Sequence, residues 1–300
     1  MARQGVSLAD LAPLFLKKER ATATFEPQAC LDLVLGSVAA QRRRKELLDL
    51  VMSDPVLSDR SMIDRNHAER YTKALEKSHA YIQLLRRHHI VDHDEQTLVY
   101  QMLGEPLPID VHRAMFVPTL ENQMDDEQRA YWLPKAKAFE ITGAYAQTEL
   151  GHGSNVQGIE TTAHYDPKTQ EYILNSPTLT SRKWWPGGLG KTANHCVLHA
   201  RLFLDGKDRG VQAFLVPLRD TATHRTLPGI TLGDIGPKIG FQSVDNGFCV
   251  LDHVRIPRRN MLMRFAKVAP DGSFSKPPMD KLVYFTMVKV RVYVVYVTYR

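Results

Sequence analysis

The stretch Tyr145-Ala-Gln-Thr-Glu-Leu-Gly-His-Gly-Ser-Asn155 is where the pattern of this sequence changes. It follows a short β-prone run at 139–143 and then becomes polar, small and rich in glycine. Glycine lets the backbone bend and lets a ligand approach main-chain N–H groups closely. Hydroxyls at Thr148 and Ser154 add two hydrogen-bond donors. The composition suits an anionic or heteroaromatic cofactor, and a plain tight turn explains it equally well.

Two familiar phosphate-binding fingerprints do not fit this stretch. The glycines at 151 and 153 are followed by Ser-Asn-Val, whereas G-x-G-x-x-G requires a third glycine. The stretch has no lysine after a glycine, so it is not a P-loop either.

A second motif favours a bound ring system. The segment Lys-Trp-Trp-Pro-Gly-Gly-Leu-Gly occupies 183–190 and places two indoles in a pliable backbone. Tryptophan is costly in a flexible loop unless its ring covers something large, flat and apolar. The two turns together therefore indicate that a flat ring is held between them.

These motifs, with the segments at 227–240, 245–247 and 255–262, resemble peroxisomal acyl-CoA oxidases from about residue 18 to about 287. The resemblance implies an α+β protein: an N-terminal helical domain, a β-sandwich or barrel middle domain, and a C-terminal helical domain that is largely missing here. The implied divisions are an extension at 1–17, a helical domain at 18–140, a β domain at 141–260 that binds FAD and acyl-CoA, and the start of the last domain at 261–300.

The same resemblance implies an activity. The family oxidises fatty acyl-CoA to trans-2-enoyl-CoA with FAD and passes the electrons to O₂, giving hydrogen peroxide. Matched position by position, the cofactor-binding residues are Gln147, Thr148, Trp185 and Gly187. The matched substrate-binding residues are Gly153 and Ser154. No metal site is expected, and the full-length family is expected to form homodimers.

Two alternatives stay open. Acyl-CoA dehydrogenases share the architecture but typically have Trp-Ile-Thr-Asn where this chain has Trp185-Pro-Gly-Gly188. A glycine in place of that threonine is expected to leave room for O₂. The family's catalytic glutamate lies beyond residue 300, and neither Glu149 nor Glu160 matches it, so no catalytic residue is assigned. The chain is therefore either an oxidase by family or an inactive flavin-binding fragment.

Composition limits the class of protein. With 43% hydrophobic and 24% charged residues in 300, the chain is long enough for roughly two domains with a sizeable core. Its three cysteines are far apart and in no metal-ligand spacing, which indicates a reducing compartment. No apolar run reaches the ~18 residues of a membrane span. The net charge of +6 suits a polyanionic substrate, and no nucleic-acid motif accompanies it.

Periodicity predicts the elements. Apolar positions every three or four residues predict helices at 27–35, 37–52, 66–89, 94–103 and 109–120, and another that starts with the acids at 125–127 and is kinked or shortened by Pro134. From 141 to 257 the period becomes two. It predicts a hairpin of 160–165 with 171–176, a second of 196–204 with 211–218 around a turn at 205–210, and short strands at 247–252 and 253–256.

The C-terminal segment departs from the family. Residues 288–299 alternate in a β pattern rich in Val and Tyr, where acyl-CoA oxidases begin a long helix. This predicts a truncated chain whose tail makes few native contacts. The resemblance implies a peroxisome, but the terminal residues are not a Ser-Lys-Leu-type signal, so this chain is expected to stay in the cytosol.

Overall fold

The computed structural model describes residues 8–276. Helices precede strands in this part of the chain. The α-helices are α1 (Leu8–Ala21), α2 (Pro27–Leu35), α3 (Val38–Ser53), α4 (His67–Arg87), α5 (His93–Met102), α6 (Val117–Gln123) and α7 (Asp126–Ala138). The strands are β1 (Gly143–Ala146), β2 (Thr162–Asp166), β3 (Glu171–Asn175), β4 (Lys183–Trp184), β5 (His195–Leu204), β6 (Lys207–Pro217), β7 (Ile230–Asp234), β8 (Gly247–Leu251), β9 (Val254–Pro257), β10 (Lys267–Val268) and β11 (Phe274–Ser275).

The α+β class is confirmed, and most helix limits agree with the periodicity to within two residues. Helix α1 was not predicted. The segment expected to be one helix at 109–120 contains a π-helical turn, His112–Phe116, that leads into α6. Such π-turns are rare and often lie at functional sites.

Pro134 was expected to kink or shorten its helix, and the expectation of a shorter helix is wrong. Helix α7 begins with a capping box, in which Asp125 and Gln128 each accept from the other's backbone N–H. It then continues through Pro134 to Ala138. The reciprocal cap satisfies two N–H groups at the start of the helix.

The chain divides into two compact units. Among the described residues, the first comprises 8–58 together with 85–104. Within it α3 packs against α5, and Arg43 on α3 forms an ion pair with Glu95 on α5 (Nε–Oε1 2.7 Å). Helix α2 has no buried residue. The predicted domain limits at 18–140, 141–260 and 261–300 remain predictions.

The second unit, 59–84 with the chain from 105 onward, is organised by strand β5. One edge of β5 pairs antiparallel with β6 from His195 to Leu204. The other edge is shared by two parallel partners: β1 pairs with 195–198 and β2 with 201–203. Strands β3 and β9 extend this sheet beyond β2, while β4, β8 and β7 form a three-stranded sheet. The chain therefore leaves the edge of β5 after β1 and returns to it at β2.

Both predicted hairpins are confirmed, and one turn is corrected. Strands β2 and β3 pair from Asp166↔Glu171 outward. Strand β6 begins at Lys207, so the second turn is Asp205-Gly206 alone and not 205–210. Both turn residues have positive φ, 48° and 69°, as the tight two-residue hairpin turn requires. The sequence at 207–210 continues the strand despite its charge.

No helix within residues 8–276 is long and apolar enough to cross a membrane. The predictions for the tail at 288–300 and for the missing C-terminal domain fall on residues beyond 276 and lie outside the described residues.

Candidate functional site

Residues 147–155, the glycine loop, occupy the place where the chain has left the edge of β5. Strand β1 ends at Ala146, opposite Leu198, and β2 does not resume pairing until Arg201. The tryptophan turn, residues 184–194, runs beside the base of this loop. The N–H of Trp184 donates to the carbonyl of Thr148 (3.1 Å). The structure therefore brings together the two motifs that the sequence singled out.

A buried carboxylate anchors the glycine loop. Glu149 is 2% exposed and accepts five hydrogen bonds. Its Oε1 accepts from the N–H of Thr161 (3.0 Å), the Thr161 hydroxyl (2.5 Å) and Lys183 Nζ (3.0 Å). Its Oε2 accepts from the N–H of Glu160 (2.9 Å) and from His152 Nδ1 (2.9 Å). Every side of the carboxylate is occupied by the protein's own donors.

Lys183 donates a hydrogen bond to the section of the β5 edge that pairs with neither β1 nor β2. It is fully buried, and besides Glu149 its Nζ donates to the carbonyl oxygens of His199 (2.7 Å) and Gln147 (3.4 Å). His199 lies in the short section of β5 between the residues paired with β1 and with β2. A side chain of β4 therefore replaces the strand partner that this section lacks, and it connects the glycine loop to the tryptophan turn.

Both members of this pair have shifted pKa values. Burial alone would raise the pKa of Glu149, but the Lys183 charge and the hydrogen bonds from Thr161 and Glu160 outweigh it and hold that pKa below its usual value. Burial lowers the pKa of Lys183, and the Glu149 charge opposes that shift. Removing one partner of a buried pair leaves an uncompensated charge, so the two residues act as one structural unit.

Two further buried charges hold the backbone of the tryptophan turn. Arg219 donates to the carbonyl oxygens of Leu189, Gly190 and Ala193, with its shortest contacts to Ala193 and Gly190 (2.7 Å for Gly190). Asp245 accepts from the N–H groups of Lys191 and Thr192, each at 2.7 Å. Burial raises the pKa of Asp245 against these hydrogen bonds. The turn is thus held from its carbonyl side and from its amide side.

The two indoles have different environments. Trp184 stacks on Phe248, with ring centroids 6.0 Å apart. Trp185 is 50% exposed and has φ 88°, a backbone region that non-glycine residues seldom occupy. Its carbonyl accepts from Asn246 Nδ2 (2.7 Å), and its N–H donates to Gly247 O (2.9 Å). Trp185 therefore presents an indole surface on a fixed backbone.

Three hydrogen-bonding groups at this site have no partner among the described residues. They are the Thr148 hydroxyl, the N–H of Gly187 and the Oδ1 of Asn246. Asn246 is 5% exposed, and a buried acceptor without a donor is costly. Two donors and one acceptor beside an exposed indole fit a planar heteroaromatic ligand with both kinds of polar edge. A flavin has those properties.

The predicted residues of the loop differ in burial. Gln147 is buried, and its carbonyl serves Lys183. Gly153 and Ser154 lie at the exposed tip, where a Cβ on Gly153 would meet no atom within 4 Å. The tip is open to a ligand and is not shaped by its neighbours.

The expected open space at Gly187 is not present. A Cβ on Gly187 would lie 2.9 Å from Val111 Cγ2 and 3.3 Å from Val244 Cγ1. The volume that a threonine side chain would occupy is filled by Val111, so the glycine alone does not provide room for O₂.

Sequence reasoning missed the supports of the site: Lys183 and Glu149 as a pair, Arg219, Asp245 and Asn246. A weak signal existed, because Lys183 and Glu149 lie inside the two motifs and are charged residues next to short strands. Within residues 8–276, no group of three or more His, Cys, Asp or Glu side chains could hold a metal ion.

Comparison with known proteins gives two family matches. Residues 32–142 match the model for the acyl-coenzyme A oxidase N-terminal region, and residues 144–254 match the acyl-CoA dehydrogenase middle domain. Peroxisomal acyl-coenzyme A oxidase 1 of Cavia porcellus is 48% identical over 282 residues, and the human protein of that name is 46% identical over 282 residues. Each match covers 93% of this chain and 43% of the relative.

Solved structures agree with this. Acyl-CoA oxidase 1 of Arabidopsis thaliana has a TM-score of 0.86 at 42% identity, covering 92% of this chain and 42% of that one. Acyl-CoA oxidase-2 of Caenorhabditis elegans, bound with FAD, ascaroside-CoA and ATP, has a TM-score of 0.84 at 40% identity, covering 97% of this chain and 44% of that one. The chain thus spans less than half the length of these relatives.

Proposed function

The chain belongs to the acyl-CoA oxidase family, and on that premise we propose that it binds FAD between the glycine loop and the tryptophan turn and contributes this site to the oxidation of fatty acyl-CoA by O₂. One observation carries the proposal. The Thr148 hydroxyl, the Gly187 N–H and the buried Asn246 Oδ1 have no partner among the described residues. Thr148 and Gly187 lie on the two loops joined by the Lys183–Glu149 pair, and Asn246 donates to the carbonyl of Trp185.

The residues have distinct roles in this proposal. Thr148 and Gly187 donate hydrogen bonds to the flavin edge, and the exposed face of Trp185 covers its ring. Gln147 holds the loop through its carbonyl, which accepts from Lys183. Bound FAD supplies a hydride acceptor for substrate oxidation and an electron donor to O₂. The fixed backbone of the tryptophan turn orients the cofactor without reorganisation when it binds.

The tip of the glycine loop is the proposed contact for the substrate. Gly153 and Ser154 are exposed, so backbone and hydroxyl donors there are available to the polar part of acyl-CoA. The relatives named above are called peroxisomal, and we extend the peroxisome, the O₂ acceptor and a homodimer to this protein as parts of the same proposal.

No proton transfer is assigned to Glu149. A general base must reach the proton that it removes and have a lone pair available for it. Glu149 accepts five hydrogen bonds and is buried. This favours a second candidate function, in which the 300-residue chain binds FAD without turning over acyl-CoA.

Titration of the chain with FAD, followed by flavin fluorescence, tests the proposal. Thr148→Val removes one hydroxyl with little change in shape and should weaken binding roughly tenfold, the value of about one hydrogen bond. Thr162→Val is the matched control, because Thr162 is a half-buried threonine on β2, outside residues 147–155 and 184–194. Folded protein that binds no FAD, or equal losses in the two variants, would contradict the proposed site.

Peroxide release separates the two candidate functions. With FAD bound, acyl-CoA should bleach the flavin absorbance, and air should restore it with formation of hydrogen peroxide. Bound FAD that acyl-CoA does not reduce supports the second candidate. Reduction by acyl-CoA that only an artificial electron acceptor reverses supports a dehydrogenase.

A further inference from the structure

Val111 occupies the space beside Gly187. Its Cγ2 lies 2.9 Å and its Cβ 3.9 Å from the position of a Cβ on that glycine. Val244 lies on the same side, with its Cγ1 at 3.3 Å. An alanine at 187 would overlap the Val111 methyl, whereas the Val111 Cβ alone would be at an ordinary contact distance. The two positions therefore share one volume that a single side chain can fill.

Val111 cannot withdraw from this volume easily. It directly precedes the π-helical turn His112–Phe116. His112 is fixed at both ring nitrogens: Nε2 donates to Ala136 O (3.0 Å), and Nδ1 accepts from the N–H of Gly143 (3.0 Å). The nearest atom of the Phe116 ring, Cδ2, lies 2.1 Å from the position that a Cβ on Gly143 would occupy. The turn that carries Val111 is thereby joined to the start of β1.

We propose that Val111 sets the free volume beside Gly187 and thereby controls how fast O₂ reaches the reduced cofactor. The inference rests on the proposed function, in which the Gly187 N–H donates to the flavin edge. The overall exchange is balanced: reduced FAD gives two electrons and two protons to O₂, forming oxidised FAD and hydrogen peroxide. Val111 takes no part in that chemistry and acts only through the space that it fills.

The physical reason is steric. Dioxygen is small and apolar, and a volume walled by Val111, Val244 and Gly187 is apolar too. Apolar cavities remain free of water and accept small apolar molecules. Truncating Val111 opens such a volume beside Gly187, and a larger side chain at 111 leaves less space there than valine does.

The first arm of the test needs no cofactor. Gly187→Ala should lower the thermal midpoint by about 4 °C, the shift expected for roughly 1–2 kcal/mol in a chain of this size. Combining it with Val111→Ala should recover at least half of that loss, because the two β-carbons would then be 3.9 Å apart. Additive losses in the double variant would overturn the shared-volume geometry.

The second arm measures reoxidation of photoreduced FAD in the 300-residue chain by air, with no substrate present. Val111→Ala should speed it by roughly fivefold, equivalent to about 1 kcal/mol in the barrier, and Val111→Ile should slow it. Val254→Ala is the matched control, because Val254 makes the same kind of contact with another glycine, Gly229 (Cγ2 at 3.2 Å from its Cβ position).

The outcomes are distinguishable. Bound FAD whose reoxidation is equal in the wild type, Val111→Ala and Val111→Ile overturns the inference and leaves the proposed function intact. An equal acceleration by Val254→Ala also overturns it. A folded chain that binds no FAD contradicts the proposed function and the inference together.

Discussion

The glycine loop and the tryptophan turn lie side by side and are held in different ways. Arg219 and Asp245 hold the tryptophan turn along its length, through three carbonyls and two N–H groups. The glycine loop is held at its base by Glu149, while Gly153 and Ser154 at its tip are exposed. This difference agrees with the proposal that the flavin ring rests on the rigid turn and that acyl-CoA contacts the exposed tip.

The largest expected effect comes from breaking the connection between the two regions. Glu149→Gln leaves Lys183 buried without its counter-charge and should destabilise the protein by about 3–5 kcal/mol. The double variant Glu149→Gln/Lys183→Met should recover part of this loss, because the unpaired charge is gone. Urea unfolding at neutral pH measures both. A single variant within 1 kcal/mol of the wild type would mean that the pair does not hold the loops together.

Lowering the pH should weaken the contact between His112 and the start of β1, the strand that leads into the glycine loop. Burial lowers the pKa of His112 to about 4, and the neutral ring is also the form that can accept from Gly143 and donate to Ala136 at once. His112 takes up a proton near pH 6.5 in the unfolded chain but only near pH 4 in the folded chain. The free energy of unfolding is therefore highest above pH 6.5 and decreases as the pH falls towards 4. The loss approaches ~3 kcal/mol for a shift of this size.

The measurement is urea unfolding at several pH values from 7 to 4 for the wild type and His112→Asn. The variant should show a shallower dependence on pH over this window. The control is His253→Gln, at an exposed position on the surface. Identical pH profiles for the wild type and His112→Asn would rule out this coupling.

The smallest expected effect separates the base of the glycine loop from its tip. A Cβ at Gly151 would lie 2.7 Å from Thr180 Cβ, whereas one at Gly153 would meet nothing within 4 Å. Gly151→Ala should therefore cost about 1–3 kcal/mol, and Gly153→Ala less than about 0.5 kcal/mol. Thermal unfolding of the two variants compares positions two residues apart. Equal costs would show that base and tip are equally constrained.

The sequence predicts what depends on local spacing. Helix α2 begins and ends at the predicted residues, and the β2–β3 hairpin follows from its alternation and from the turn composition of 166–169. The two loop motifs were also predicted to be neighbours, because a cofactor common to both requires it. The first two predictions use residues close together or a pattern that repeats over a short window, whereas the third rests on the ligand that the two motifs would share.

What the sequence could not predict depends on contacts between distant residues. The Lys183–Glu149 pair forms because β1 and β2 share an edge of β5, a topology that no local pattern encodes. Val111 lies against Gly187 for the same kind of reason. The charged residues at 207–210 were predicted to lie in a turn because of their composition. In the structure the turn is Asp205-Gly206 alone.

The shared edge of β5 also sets the order in which the molecule can assemble. Strands β5 and β6 meet across two residues, so their contact forms rapidly and at little cost in chain entropy. Strand β1 must instead find β5 from far away, since Gly143 pairs with His195, and such non-local pairing is slow. Until it forms, Glu149 and Lys183 stay hydrated and apart. The proposed ligand site therefore cannot be complete before β1 pairs with β5, and a ligand bound there favours chains in which this pairing has formed.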